Sequence, residues 1–209
     1  MKPPKSAIEH EISRRSLLVS GLAIGLAALQ AKNSLAASRR ERRKHPEVYL
    51  LRGLANVFSL GLDEIGRRLN TAGIDAHVQA FTAGGWAFNK IVGDRAEHGA
   101  QPIALIGHSL GANAIVDLAE ALDKKNIQVD YMASFAATNA DQLPGNIKYI
   151  QNFYFARNGW GQRLVPGPKF RGKIENRDFS QQQDVSHFNI EKQRALQEEV
   201  VRNVLRIAR

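Results

Sequence analysis

The chain of 209 residues contains no cysteine. That absence excludes disulfides, thiolate metal sites and cysteine nucleophiles together, and it is compatible with any redox compartment. No apolar run is long enough to span a bilayer comfortably, which takes about 20 residues; the stretch at 17–29 falls short. No lysine stands in a phosphate-binding glycine loop. No histidine pair shows helical ligand spacing with a carboxylate, so no metal site and no cofactor are expected. Positive charge is plentiful in number but not in the folded part. Of the formal net charge of +9, residues 1–37 carry +3 and residues 38–44 carry +4, which leaves +2 for the rest. A domain so near neutrality has no broad electrostatic footprint for phosphate backbones, and nucleic acid is not an expected partner.

The uneven charge divides the chain. Ser13-Arg14-Arg15-Ser16-Leu17-Leu18 resembles the bacterial twin-arginine export motif. The apolar stretch at 17–29 follows, and Ser34-Leu35-Ala36-Ala37 offers small residues for cleavage after Ala36 or Ala37. Residues 1–37 are expected to be an export signal, residues 38–46 a basic linker, and residues 47–209 one domain, periplasmic or secreted. The run Arg39, Arg40, Arg42, Arg43, Lys44 reads as a solvated juncture; weak contact with anionic membranes is its alternative.

Within 47–209, short apolar runs alternate with helical periodicity. Val48-Tyr49-Leu50-Leu51 reads as a strand buried on both faces. Leu62, Ile65 and Leu69 fall at helical spacing and Gly73 stops them. A second strand is expected at 76–81, a break at Gly84-Gly85, a helix at 86–98 and the clearest buried strand at 102–106. A helix runs on from Ala112, strands follow at 129–135 and 147–155, and no helix fits between those two. No structure is forced on the polar stretch 158–186. A last helix starts at about Ile190, capped by Asn189, with Leu196, Val200 and Val204 as its stripe. Strands alternating with helices predict an α/β fold, a three-layer sandwich on a mainly parallel sheet, with no segment long enough for a lid domain.

The strand at 102–106 runs straight into Gly107-His108-Ser109-Leu110-Gly111, and a helix leaves it. This G-x-S-x-G pattern is short, and its context makes it specific. A serine on a sharp strand-to-helix turn sits in a strained backbone, and side chains two positions either side would collide. The turn lifts the hydroxyl clear of the sheet and aims the following N–H groups at the point where an oxyanion forms. The bland alternative is a glycine-rich turn whose serine caps a helix. A serine needs a base to take its proton. There are six histidines; in such a fold the base follows the nucleophile in the chain, and His108 is locked in the turn itself, which leaves His187.

The segment Pro102 to Ala119, PIALIGHSLGANAIVDLA, resembles the α/β-hydrolase superfamily on its lipase, esterase and thioesterase side. The resemblance implies a minimal α/β-hydrolase cleaving an ester or thioester of a small-molecule acyl substrate, with Ser109 as nucleophile and His187 as base. It implies oxyanion donors at Leu110 and at Leu54 or Ala55, in the loop where many lipases have His-Gly and this chain has Arg52-Gly53. Arg52 reads as a structural, partner-bound residue or as a guide for an anionic substrate. The third member of the triad is an acid. Where some similar lipases carry Asp-Pro, this chain reads Phe135-Ala136-Ala137-Thr138. Asp141 is the acid candidate, with Asp178 and Asp184 as alternatives, each otherwise a solvated loop aspartate. Trp160 and Phe170 are candidates for the substrate wall. Two other functions fit the same residues: a hydrolase fold that binds a cell-envelope partner without turnover, and a basic envelope anchor acting through 39–44.

Overall fold

In the computed structural model, residues 46–54, 59–157 and 160–209 are described. The expected export signal, the basic linker up to residue 45 and the oxyanion candidate Ala55 lie outside them. The elements are β1 (Glu47–Arg52), α1 (Leu60–Thr71), β2 (Ala76–Ala80), α2 (Gly84–His98), β3 (Ile103–His108), α3 (Leu110–Asp123), β4 (Tyr131–Phe135), β5 (Tyr149–Tyr154), β6 (Lys173–Asp178) and α4 (Arg194–Ile207). The strands form one sheet in the order β2-β1-β3-β4-β5-β6, and every neighbouring pair is parallel.

Alternation along the strands builds two cores, one on each face. Val48, Leu50, Ala104 and Ile106 point to the side covered by Leu62, Ile65 and Leu69 of α1 and by Leu196, Val200 and Val204 of α4. Tyr49, Leu51, Ile103 and Leu105 point to the side covered by Ile91 of α2 and by Ile115, Ala119 and Leu122 of α3. Each fully buried aliphatic side chain contributes about 1.5–3 kcal/mol over leaving it in water. This is the three-layer α/β arrangement that the sequence pattern predicts.

Four local expectations are corrected. Gly84 and Gly85 do not break the chain before α2; they form its first turn, with Gly84 in right-handed helical geometry. Asn189 does not cap the last helix. Its side chain accepts from the Ser186 N–H at 2.7 Å, a 3-10 turn occupies Ile190–Lys192, and α4 begins only at Arg194. Phe170 is buried in the core on the α2–α3 side rather than in a substrate wall. The polar stretch contains a strand, β6. It pairs with β5 in a parallel main-chain ladder that polar side chains reinforce: Asn176 accepts from Asn152 at 2.8 Å and Glu175 from the Tyr149 hydroxyl at 2.6 Å, while Arg177 pairs with Glu199 of α4.

The chain leaves β1 toward β2 on one side and places β3 on the other. The strand order therefore reverses between β1 and β3, where open parallel sheets form a crevice at their carboxyl ends. Gly53 follows β1 and Ser109 follows β3, so both stand at that crevice.

Candidate active site

Ser109 has φ 55° and ψ −121°, a left-handed conformation that costs a residue other than glycine about 1–3 kcal/mol. The surroundings hold it there. Its N–H donates to the Phe135 carbonyl at 2.9 Å, and its own carbonyl accepts from Ala112 at 2.9 Å and Asn113 at 3.2 Å. The flanking glycines are required by space. A Cβ on Gly107 would stand 2.3 Å from the Gly111 carbonyl oxygen, and one on Gly111 would stand 1.9 Å from the Leu51 carbonyl oxygen. The helix thus starts in main-chain contact with the sheet, and the serine is presented at its head.

His187 arrives from the segment before α4. Its Nε2 is 3.0 Å from Ser109 Oγ, although the two residues are 78 positions apart. The ring packs edge-on to Trp160, with centroids 5.1 Å apart, and to Phe188, at 5.3 Å. Its Nδ1 meets the main-chain carbonyl of Trp160 at 3.2 Å. The carbonyl can only accept, so Nδ1 carries the proton and Nε2 is left free to take one from the serine.

The structure does not bring any of the three acid candidates into a hydrogen bond with the His187 ring. Asp141 does not reach His187: it is exposed, and its charge acts on Asp117, whose carboxyl pKa it helps to raise after burial. Asp178 is committed elsewhere, accepting from the Ala156 N–H, the Ser180 N–H and the Ser180 hydroxyl at 3.0, 2.9 and 2.6 Å. Asp184 is exposed too, and its main-chain carbonyl accepts from Asn189. The position facing Nδ1 is filled by main chain because the β5–β6 segment lies over the end of β4. Gly161, at φ 139°, packs so closely that a Cβ there would stand 3.2 Å from Ala136 Cα. Gln162 anchors this segment by donating from its N–H to the Ala137 carbonyl and from its side chain to the Ala140 carbonyl, both at 2.6 Å.

This arrangement fixes a pH dependence. Burial lowers the pKa of His187 below the ordinary imidazole value, and the bond to the Trp160 carbonyl offsets only part of that. A carboxylate at Nδ1 would instead raise it. The neutral ring is the base, so a lowered pKa carries the active form further into acid. The expected result is a kcat/KM that is level around pH 8 and has its acid limb centred below the ordinary imidazole value of about 6.5. An acid limb centred above pH 7 would indicate a carboxylate partner.

Leu110 opens α3, so its N–H is one of the helix-terminal donors without an intrahelical acceptor. Leu54 follows Gly53, whose own N–H is taken by Ser59 Oγ at 2.9 Å. Leu54 and Leu110 line the same cavity of about 320 Å³ as Ser109, His187, Trp160 and Phe188. The rim is apolar and open: Leu54 is 64%, Trp160 55% and Phe188 48% exposed. Arg52 pairs with Asp63 of α1, its Nε donating at 2.9 Å, which makes it a structural arginine at this crevice. Sequence reasoning missed the Trp160 carbonyl, which no residue type announces. It also passed over Ser59 and His108, both buried beside the cavity.

Among solved structures, a candidate hydrolase of the alpha/beta superfamily from Xanthomonas campestris pv. campestris is similar in fold. The two chains are 16% identical with a TM-score of 0.41, over 78% of this chain and 98% of that one. No family model and no curated protein matches the chain.

Proposed function

We propose that this protein is a serine hydrolase that cleaves an ester or thioester of an apolar acyl group. The observation that carries this reading is the 3.0 Å approach of His187 Nε2 to Ser109 Oγ on a strained turn. Such strain persists where the surroundings over-determine it, and a structural turn has no need of a base aimed at its hydroxyl.

In this mechanism Ser109 Oγ attacks the acyl carbonyl while His187 Nε2 takes the hydroxyl proton. The oxyanion forms against the main-chain N–H groups of Leu110 and Leu54. Collapse expels the alcohol or thiol, which takes the proton from Nε2 and leaves an acyl ester on Ser109. Water then attacks with His187 again as base, and the acid departs. Throughout, the Trp160 carbonyl holds the Nδ1 proton. It fixes the tautomer, a task whose loss costs about 10⁴ in turnover in a well-studied triad. It stabilises the charged ring with a dipole rather than a full negative charge. The assembled Ser–His pair favours turnover over the binding-protein alternative.

The apolar rim supports the choice of acyl group. A series of p-nitrophenyl esters from acetyl to octanoyl tests it, with Ser109→Ala as the blank. Each buried methylene is worth about 0.8 kcal/mol at most, so kcat/KM should rise about two- to four-fold per added methylene while the chain still finds the cavity. Phe188→Ser should flatten that rise. A series that falls with length would refute the apolar preference, and no turnover by folded protein on any ester or thioester would refute the hydrolase.

A further inference from the structure

The chemistry above leaves one buried histidine without a role. His108 is 1% exposed, and its ring lies 5.1 Å from that of His187. Both of its nitrogens are engaged. Nε2 is 2.7 Å from the main-chain carbonyl oxygen of His187, and Nδ1 is 2.8 Å from Ser59 Oγ. A carbonyl can only accept, so Nε2 carries the ring proton. Nδ1 then accepts from the Ser59 hydroxyl, and Ser59 Oγ, its own proton committed, accepts from the Gly53 N–H at 2.9 Å. Each hydrogen in the string has one acceptor, and the bonds all run in one direction, from Gly53 through Ser59 and His108 to His187. Burial holds the His108 pKa down to about 4, which keeps the ring neutral. The carboxyl facing it, Glu191, stands 3.8 Å from Nε2, beyond hydrogen-bond reach, and burial pushes its own pKa up to about 7.

This string joins the three pieces of the site. Gly53 belongs to the loop of the oxyanion candidate Leu54, and a Cβ on it would stand 3.0 Å from the Cβ of Ser109. His108 belongs to the nucleophile turn, and the carbonyl it binds belongs to the base itself. The imidazole of His187 has no carboxylate to aim it, and its Nδ1 rests on one carbonyl at 3.2 Å. Its backbone is fixed from the other side by a shorter, fully buried bond. We infer that His108 is a positioning residue for the His187 base, supplying through the main chain part of the orientation that a triad carboxylate supplies through Nδ1. Ser59 is its tautomer lock. The effect on turnover rests on the serine-hydrolase reading; the hydrogen-bond string does not.

Two readouts on the full folded protein test this separately. Nitrogen-15 NMR of the histidine rings should find His108 neutral at about pH 6.5 with its proton on Nε2. The His187 ring signals should move in Ser59→Ala. A proton on Nδ1, or a His108 ring that titrates as an ordinary imidazole, overturns the string whether or not any ester is cleaved. The second readout is kinetic. Ser59→Ala and His108→Leu should lower kcat about 10- to 100-fold with KM little changed, the size expected when a catalytic group is held off its line by a fraction of an ångström. His108→Gln, whose amide nitrogen can still donate to the His187 carbonyl, should recover most of that loss. Equal kcat in all the folded variants overturns the positioning role. If His108→Leu does not fold, Ser59→Ala alone decides. A folded wild-type protein that shows the expected His108 tautomer and His187 shift but cleaves nothing would leave the string standing and sink the hydrolase reading.

Discussion

Replacing Ser109 by Ala should lower kcat on a good ester by about 10⁴-fold or more, and His187→Ala should cost nearly as much. The two together should cost little more than either alone. A nucleophile without its base and a base without its nucleophile are equally idle, so the pair acts as a unit. What survives is binding and the main-chain donors at Leu110 and Leu54. The fold should not suffer in Ser109→Ala. Alanine meets the same left-handed backbone at φ 55° that serine does, and the main-chain bonds to Phe135, Ala112 and Asn113 do not involve the hydroxyl. Comparison of ester turnover and circular dichroism on the same samples checks both statements. A folded Ser109→Ala protein with wild-type turnover would move the chemistry elsewhere.

The second large effect is on stability. Gly111→Ala should cost about 4 kcal/mol or more, in the exceptional range for one substitution, and lower the melting temperature by about 10 °C. Its Cβ would lie 1.9 Å from the Leu51 carbonyl oxygen and 2.5 Å from the carbonyl carbon. Both are main-chain atoms of β1, so neither can rotate away. Relief requires α3 to back off the sheet, which would displace Ser109 as well. Gly93, in the interior of α2, is the contrast: a Cβ there meets nothing within 4 Å. Gly93→Ala should be neutral or stabilising by about 0.5–1 kcal/mol, because alanine is the better helix former. Thermal unfolding of the two variants side by side measures the difference. Equal melting temperatures would mean that the elbow is looser than its contacts imply.

What the sequence disclosed and what it hid divide along a physical line. The nucleophile turn is local: a run of buried aliphatics, two glycines and an amphipathic helix lie within 20 residues, so the residue types themselves announce the geometry. His187 could be named because it is the one histidine that follows that turn. The strands β1, β3 and β4 are buried on both faces and read as apolar runs. β6 escaped because Lys173, Glu175, Asn176 and Arg177 meet their needs with Tyr149, Asn152 and Glu199, leaving no apolar signature. The start of α2 escaped because two adjacent glycines read as a break, whereas the first turn of a helix tolerates them. The partner of Nδ1 escaped for a deeper reason. Every residue has a main-chain carbonyl, so nothing in the letter for Trp160 marks its oxygen as the one aimed at the base. A triad acid is a side-chain carboxylate, and Asp141, which follows β4 in the chain, is exposed rather than bonded to His187. His108 reads in the sequence as part of the turn; only the fold shows its ring buried between Ser59 and the backbone of His187.

The measurement that bears most directly on the account is mass-mapped labelling of the folded wild-type protein by a fluorophosphonate, followed across pH. These reagents report an activated serine without requiring the natural substrate. One adduct is expected, on Ser109, forming at a rate whose acid limb is centred below about pH 6.5 and lost in His187→Ala. No adduct in well-folded protein, or an adduct on another residue, would contradict it.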